Sequence, residues 1–278
     1  MDLQQASVLI VILNYGTFDL TMDLVRQLHA SLAYQNYEIM VVDNGSPNES
    51  AAVLGENSSK LRYIFYENPS NSGYASGNNI GIRYGIKHGF TYTWILNNDV
   101  ELRDANVLQH MVEIANTTDR IGCVGPKIFS MDGTPCAPYC RRPTFWSLTG
   151  GIGAEKKYRQ QFLDVSGEVY RVYGCCMLLK NRVMQEIDCM DERTFLYGEE
   201  SILAERMRAK EYVSYYDADV SVTHKESSTM KRMSKNQKKF QINESKKSRE
   251  LYLKEYRHYC APARWCCHLT RVLITYFR

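Results

Sequence analysis

Over its first half the chain alternates between short apolar runs and stretches with helical spacing. Val8 to Leu13, Ile39 to Val42 and Trp94 to Leu96 are continuous apolar runs, each bounded by polar turn residues. Runs of this length read as buried strands rather than helices. Strands are predicted at about 7–13, 37–42, 62–66, 92–97 and 121–125, with helices at about 19–33, 49–57, 75–88 and 104–117. Such alternation implies parallel strands joined by helical crossovers, and so an α/β domain. Between 128 and 168 the period is lost to Cys136, Pro138, Pro143, Gly150, Gly151 and Gly153, so loops are expected there. Regular patterning resumes with a strand at 170–179, helices at 181–188 and 199–210, and a strand at 212–222; residues after 226 look helical.

Three of the apolar runs end in polar clusters: Asn14-Tyr15-Gly16, Asp43-Asn44-Gly45-Ser46 and Asn97-Asn98-Asp99. In open α/β sheets ligands bind at this carboxyl edge. A lone carboxylate such as Asp99 can hold a hard divalent cation whose other positions go to water and phosphates; it equally fits a cap for the next helix. Asp43 suits a turn, and its carboxylate can also accept hydrogen bonds from a ligand. Gly73, Gly77 and Asn78, with Arg83 beyond them, lie where a helix begins, and there glycines let backbone amides approach phosphate. Their spacing also occurs in plain helix packing. Glu199 and Glu200 open a predicted helix, where acids complement the macrodipole; a carboxylate in a partly apolar pocket is also a fit general base.

The order and spacing of these pieces resemble the family-2 glycosyltransferases, inverting enzymes of the GT-A fold, and in particular the bacterial rhamnosyltransferase-like branch that builds polysaccharides. The resemblance runs from about residue 7 to 226. It rests on Val8 to Tyr15, Val41-Val42-Asp43-Asn44-Gly45-Ser46, Asn71-Ser72-Gly73-Tyr74-Ala75-Ser76-Gly77-Asn78-Asn79-Ile80-Gly81 and Leu96-Asn97-Asn98-Asp99, and continues through Tyr173 to Leu178, Asp191 to Glu200 and Val222-Thr223-His224. It implies a mostly parallel mixed sheet flanked by helices, as a catalytic domain at 1–226, followed by a basic helical appendage at 227–278. It implies transfer, with inversion, from a nucleotide-sugar donor (dTDP-rhamnose or a UDP-sugar) to a hydroxyl of a glycan acceptor, lipid-linked, in cell-surface polysaccharide synthesis. Leu13, Tyr15, Asp43, Gly73, Gly77, Asn78, Asn97 and Asn98 would then hold the donor, with Asp43 on the pyrimidine or ribose. Asp99 and His224 would bind a divalent cation, Mn2+ or Mg2+. The family's metal site is often Asp-x-Asp; here Asn97 replaces the first carboxylate, and it can coordinate weakly or bind the sugar. Glu200 would be the base, with Glu199 the alternative, and Asp191 and Glu192 would orient the acceptor in a groove shaped by the 128–168 loops. A polyprenyl-phosphate sugar transferase and a non-catalytic glycan- or nucleotide-binding module are the rival readings. A dinucleotide-dependent oxidoreductase is excluded, because the first strand runs into Asn14-Tyr15-Gly16-Thr17 with no G-x-G-x-x-G.

Composition narrows the setting. A chain of 278 residues with 44% hydrophobic content can bury one substantial core. The first apolar run is six residues, a strand rather than a signal peptide, and no segment approaches the roughly 20 apolar residues that span a bilayer. Nine cysteines, without any C-x-x-C, argue for free thiols and a cytoplasmic setting. The net charge of +3 conceals an asymmetry: residues 225–278 carry 14 Lys+Arg against 4 Asp+Glu, a net of +10, and residues 1–224 carry 20 against 27, a net of −7. A basic tail suits an anionic surface. Within it Arg264, His268, Arg271, Thr275 and Arg278 fall on one helical stripe, beside Trp265, Leu269, Leu273 and Phe277. Residues 263–278 therefore read as an in-plane anchor at the inner face of the plasma membrane; nucleic acid is not an expected partner.

Overall fold

The structure, a computed structural model, describes residues 6–225 and 235–276. In chain order it runs β1 (Val8–Asn14), α1 (Phe18–Ser31), β2 (Tyr37–Asn44), α2 (Ser50–Leu61), β3 (Ile64–Asn68), α3 (Tyr74–Lys87), β4 (Tyr92–Asn97), β5 (Val100–Leu102), α4 (Val107–Thr117) and β6 (Ile121–Ser130). It continues with β7 (Pro135–Cys136), α5 (Phe145–Leu148), α6 (Ile152–Gln160), β8 (Gly167–Val169), β9 (Cys176–Lys180), α7 (Asn181–Glu186), α8 (Glu199–Arg208) and β10 (Val213–His224). A helix α9 (Lys235–Leu251), a π-helical turn (Tyr252–Tyr256) and α10 (Ala261–Tyr276) complete it.

One mixed sheet carries the strands in the order β3-β2-β1-β4-β9-β6-β10-β5, with β7 beside β6 and β8 beside β10. β3, β2, β1 and β4 are parallel, as the alternating pattern predicts. β9 then enters antiparallel between β4 and β6. Val8 through Ile12 of β1 are completely buried; burial on both faces, with helices above and below, is why such strands read as unbroken apolar runs. Each large side chain there gains about 1.5–3 kcal/mol over exposure. In α4, Val107, Leu108, Met111, Val112 and Ala115 form the buried stripe, the periodicity that marks an amphipathic helix.

The structure corrects four expectations. The strand expected at 170–179 starts only at Cys176, as β9; β8 has already ended at Val169 on β10, and the chain turns through Gly174 between them. The 128–168 stretch is not all loop; it holds β7, α5, α6 and β8. The turn after Asp99 leads first into β5, which pairs antiparallel with the end of β10. Arg83 lies well inside α3 and pairs with Glu192 at 2.6 Å, away from the helix start.

The C-terminal helices pack on the α/β unit. Tyr252, Leu253 and Cys267 cluster with Ile202 of α8, and Tyr252 and Tyr170 share a hydroxyl hydrogen bond of 2.8 Å. Arg264 Nε and His268 Nε2 approach Glu250 at 2.6 and 2.9 Å. The part of the basic stripe that the structure describes therefore faces α9, while Trp265 and Leu269 remain 64% and 42% exposed. The side chains of the rest of the stripe lie outside the described residues. Among the described residues no helix is long and apolar enough to cross a membrane.

Candidate active site

The carboxyl ends of β1, β2 and β4 form one polar edge. Asp43 is fully buried. It accepts from Asn14 Nδ2 (2.7 Å), Ser46 Oγ (2.6 Å) and the Ser46 amide (3.0 Å). Its carboxylate thus braces the β1 and β2 turns; Ser46 Oγ in turn receives the Gly16 amide at 2.8 Å. Tyr15 beside it is half exposed. Asn98 Nδ2 donates to Thr17 Oγ1 and Thr21 Oγ1 at 2.8 and 2.9 Å, tying the β4 turn to α1. Leu13 packs on Gly77, where a β-carbon would lie 2.6 Å from a Leu13 methyl. Asn78 is buried at the start of α3; its Nδ2 donates to the Tyr74 carbonyl, while its Oδ1 has no hydrogen-bond partner among the described residues.

Gly73 joins this edge to the acidic loop. It has φ +87°, and a β-carbon would stand 2.5 Å from the Phe195 carbonyl oxygen; only glycine fits both demands. The contact is closed by the Tyr74 amide donating to that carbonyl at 2.9 Å. Tyr197 (φ +69°) and Gly198 (φ +94°) then turn the chain sharply into α8. A left-handed non-glycine residue costs about 1–2 kcal/mol, and here it sets Glu199 and Glu200 at the helix start, on the wall of a cavity of about 590 Å3.

The two acids sit in different environments. Glu199 is only 5% exposed, and its Oε1 has no hydrogen-bond partner among the described residues. Burial, followed by the neighbouring Glu200 charge, pushes its carboxyl up to about 8. Glu200 is more open and accepts from the Gly174 amide at 3.3 Å, with the Arg171 guanidinium 3.9 Å away. Arg171 itself lies over the Tyr139 ring, 3.4 Å from its centroid. Tyr74, Asn97, Cys175 and His224 line the same cavity.

Asp99 and His224 are brought together. β5 pairs with β10 so that His224 stands opposite Val100, and His224 Nε2 lies 3.1 Å from Asp99 Oδ1. Cys175, with its thiol pushed up by burial, packs beside His224. Among the described residues no group of three or more His, Cys, Asp or Glu can hold a metal by protein ligands alone. An oxygen–nitrogen pair at this separation does fit two adjacent positions of an octahedral cation, since bonds of about 2.1 Å place neighbouring donors about 3.0 Å apart. Water and phosphate would fill the remaining positions.

Asp191 and Glu192 are not on this cavity. Burial opposes the Asp191 charge, but hydrogen bonds from Arg193 and Tyr256 outweigh it and hold the carboxyl down at about 2. Glu192 is likewise held down against burial by Asn79 and Arg83. Both acids brace α3 and the C-terminal helices. Sequence reasoning missed Arg171 and Tyr139, which meet at an isolated bridge between distant loops, and Tyr74, whose hydroxyl donates to the Gly174 carbonyl at 2.6 Å.

Comparison with known proteins places the chain. The model of glycosyl transferase family 2 matches residues 7–188. A low-salt glycan biosynthesis hexosyltransferase of Haloferax volcanii is 27% identical over 62% of this chain and 53% of its own. An N-acetylglucosaminyl-diphospho-decaprenol L-rhamnosyltransferase of Mycobacterium tuberculosis is 24% identical over 67% and 66%. The chain thus spans about half the length of the first and two thirds of the second. Among solved structures, a mannosyltransferase of Pyrobaculum calidifontis in complex with GDP-Man and Mn2+ superposes with a TM-score of 0.62, covering 95% of this chain and 69% of that one at 13% identity. That likeness establishes the GT-A-type fold.

Proposed function

The chain belongs to glycosyl transferase family 2, and we propose that it transfers a sugar from a nucleotide-sugar donor to a hydroxyl of a glycan acceptor with inversion. The observation that carries this reading is the shared cavity of Glu200 and His224, with Asp99 3.1 Å from the histidine. A base and a diphosphate anchor at one cavity are what a single in-line displacement needs. Glu200 takes the proton from the acceptor hydroxyl as its oxygen attacks the anomeric carbon. Glu199, still protonated at neutral pH, adds no second negative charge next to it. Asp99 and His224 would hold a divalent cation, which supplies Lewis-acid neutralisation of the departing diphosphate. Asn97, on the cavity wall, would meet the sugar and phosphates, and the exposed Tyr15 the base; Gly73 and Gly77 serve the site by letting α3 close on Phe195 and Leu13, and Asp43 shapes the base pocket through Ser46 and Asn14.

Screening nucleotide sugars by thermal stabilisation, with and without Mn2+, tests the reading. A ligand at one hundred times its Kd adds about 2.7 kcal/mol, which raises the melting temperature of a domain this size by about 5–10 °C. dTDP-rhamnose or a UDP-sugar is expected to give the shift, and only with the cation. No shift with any nucleotide sugar overturns the donor assignment.

The name of the mycobacterial relative supports a lipid-linked acceptor. The membrane contact is then shared by two helices. α5 packs on α10; Phe145 and Trp146 of the first stand 43% and 67% exposed, and Trp265 and Leu269 of the second 64% and 42%. Exposed aromatic side chains on α5 and α10, with Lys156 and Lys157 on α6, which packs on α5, suit an anionic interface. Cys267 is buried, so deleting the helix would open the core; point changes are the better test. Trp146→Ser with Trp265→Ser should weaken association with anionic liposomes at least tenfold, and added salt should weaken it further. Unchanged liposome partitioning removes this surface from consideration.

A further inference from the structure

Beside the cavity of Glu199 and Glu200 lies a second, of about 700 Å3. The two share Tyr139, Pro143, Leu148, Tyr173 and Arg249 as lining. Tyr139 is the partition. Arg171 and Arg159 lie 3.4 and 3.5 Å from its ring centroid, and two guanidinium groups that close must occupy opposite faces. Arg171 lines the first cavity and Arg159 the second.

The second cavity is chemically distinct. Among the described residues, Arg141, Lys156, Arg159 and Arg249 line it against one carboxylate, Glu155, which is already paired with Arg141 at 3.0 Å. Arg159 is fixed by donating to the Pro138 carbonyl at 2.8 Å, to Tyr173 Oη at 3.0 Å and to the Ala137 carbonyl. Among the described residues it forms no ion pair, so its orientation is set while its charge is not neutralised. Its lining also includes the apolar side chains of Pro135, Ala137, Leu148 and Ile152. A neutral glycan gives no reason for such a cation excess, and a plain hydrocarbon is not drawn to it. An amphiphile with a strongly anionic head satisfies both, since fixed guanidinium groups favour phosphate oxygens.

We propose that this second cavity binds the diphosphate of a lipid-linked acceptor. The sugar to be extended reaches past Tyr139 and Tyr173 to Glu200, and the hydrocarbon leaves over Leu148 and Ile152 toward Trp146. This rests on the glycosyl-transfer reading, in which Glu200 meets the acceptor hydroxyl.

The test uses the full chain and farnesyl diphosphate as probe, by calorimetry, with UDP, GDP and dTDP present in excess to fill the donor site. Farnesyl diphosphate should bind at least tenfold more tightly than inorganic pyrophosphate or farnesol. Arg159→Gln, Lys156→Glu and Ile152→Asp should each weaken it, the first by tenfold or more. Arg159 also holds two loop carbonyls; if its variant loses the native melting transition, the exposed Lys156 and Ile152 variants decide. Displacement of the probe by the nucleotides puts the diphosphate in the donor site and overturns the proposal. Equal binding of pyrophosphate alone, tighter binding of an acidic oligosaccharide, no binding, or binding unchanged in the variants also overturns it. No turnover is measured, so Glu200→Gln should leave the affinity intact. A failed transfer assay with intact probe binding thus counts against the reaction and not against the cavity.

Discussion

Glu200→Gln is expected to bind the donor as the native chain does and to lose transfer by about 10²–10⁴-fold, the contribution of a positioned base. Glutamine has nearly the same shape, so the wall of the cavity survives. The position is tight: a β-carbon on Gly174 would fall 2.8 Å from Glu200 Oε1, and Arg171 approaches from the Tyr139 side. Glu199→Gln should behave differently. The Glu199 carboxyl, raised to about 8 by burial and then by Glu200, holds its proton at neutral pH, and a glutamine mimics that state. From the ordinary carboxyl range up to about 8, the folded chain keeps a proton that the unfolded chain has released. Native stability therefore falls as pH rises through that window, and Glu199→Gln should flatten the fall. Single-turnover transfer, donor calorimetry and melting temperature against pH read the three effects separately. If Glu199→Gln abolishes transfer while Glu200→Gln retains it, the roles within the pair are reversed.

The parallel half of the fold was legible because β1, β2 and β4 are buried on both faces and end abruptly in Asn, Asp and Gly. The antiparallel half was not. β5 has three residues, too few for a period, yet its pairing with β10 is what carries His224 to Asp99. Arg171 was hidden for another reason. In sequence it alternates with apolar residues and looks like the outward position of a strand; its partners, Tyr139 and Glu200, are 32 and 29 residues away. The tail shows the limit of a helical wheel, which finds the stripe of Arg264 and His268 but not what it faces. Glu250 on α9 supplies the answer, and the exposed face becomes that of Trp265 and Leu269. The sequence reading makes Asp43 a ligand contact; in the structure its buried carboxylate accepts hydrogen bonds from Asn14 and Ser46. A strand-end carboxylate is equally suited to either task, and the sequence does not display the partners that decide between them.

Asp99→Ala is the second large effect expected: the fold persists, while cation-dependent binding of the nucleoside diphosphate is lost. The backbone contact at this turn does not need the side chain, because the Lys225 amide donates to the Asp99 carbonyl at 2.9 Å and β5 remains paired with β10. What disappears is one of two protein donors 3.1 Å apart, at a site where Asn97 brings an amide rather than a second carboxylate. His224 alone offers one neutral nitrogen and no charge to balance a divalent cation. Charge stabilisation of a departing diphosphate is worth several kcal/mol, so transfer should fall about 10³-fold. Calorimetry with and without Mn2+ separates the two losses: the native chain should bind the nucleoside diphosphate at least tenfold more tightly with the cation, and the variant equally with or without it. His224→Gln should give a smaller loss in the same direction, since it leaves the charged donor in place. A native-like response to Mn2+ in Asp99→Ala would mean that the cation is held elsewhere, and the pairing of Asp99 with His224 would then be a strut between β5 and β10.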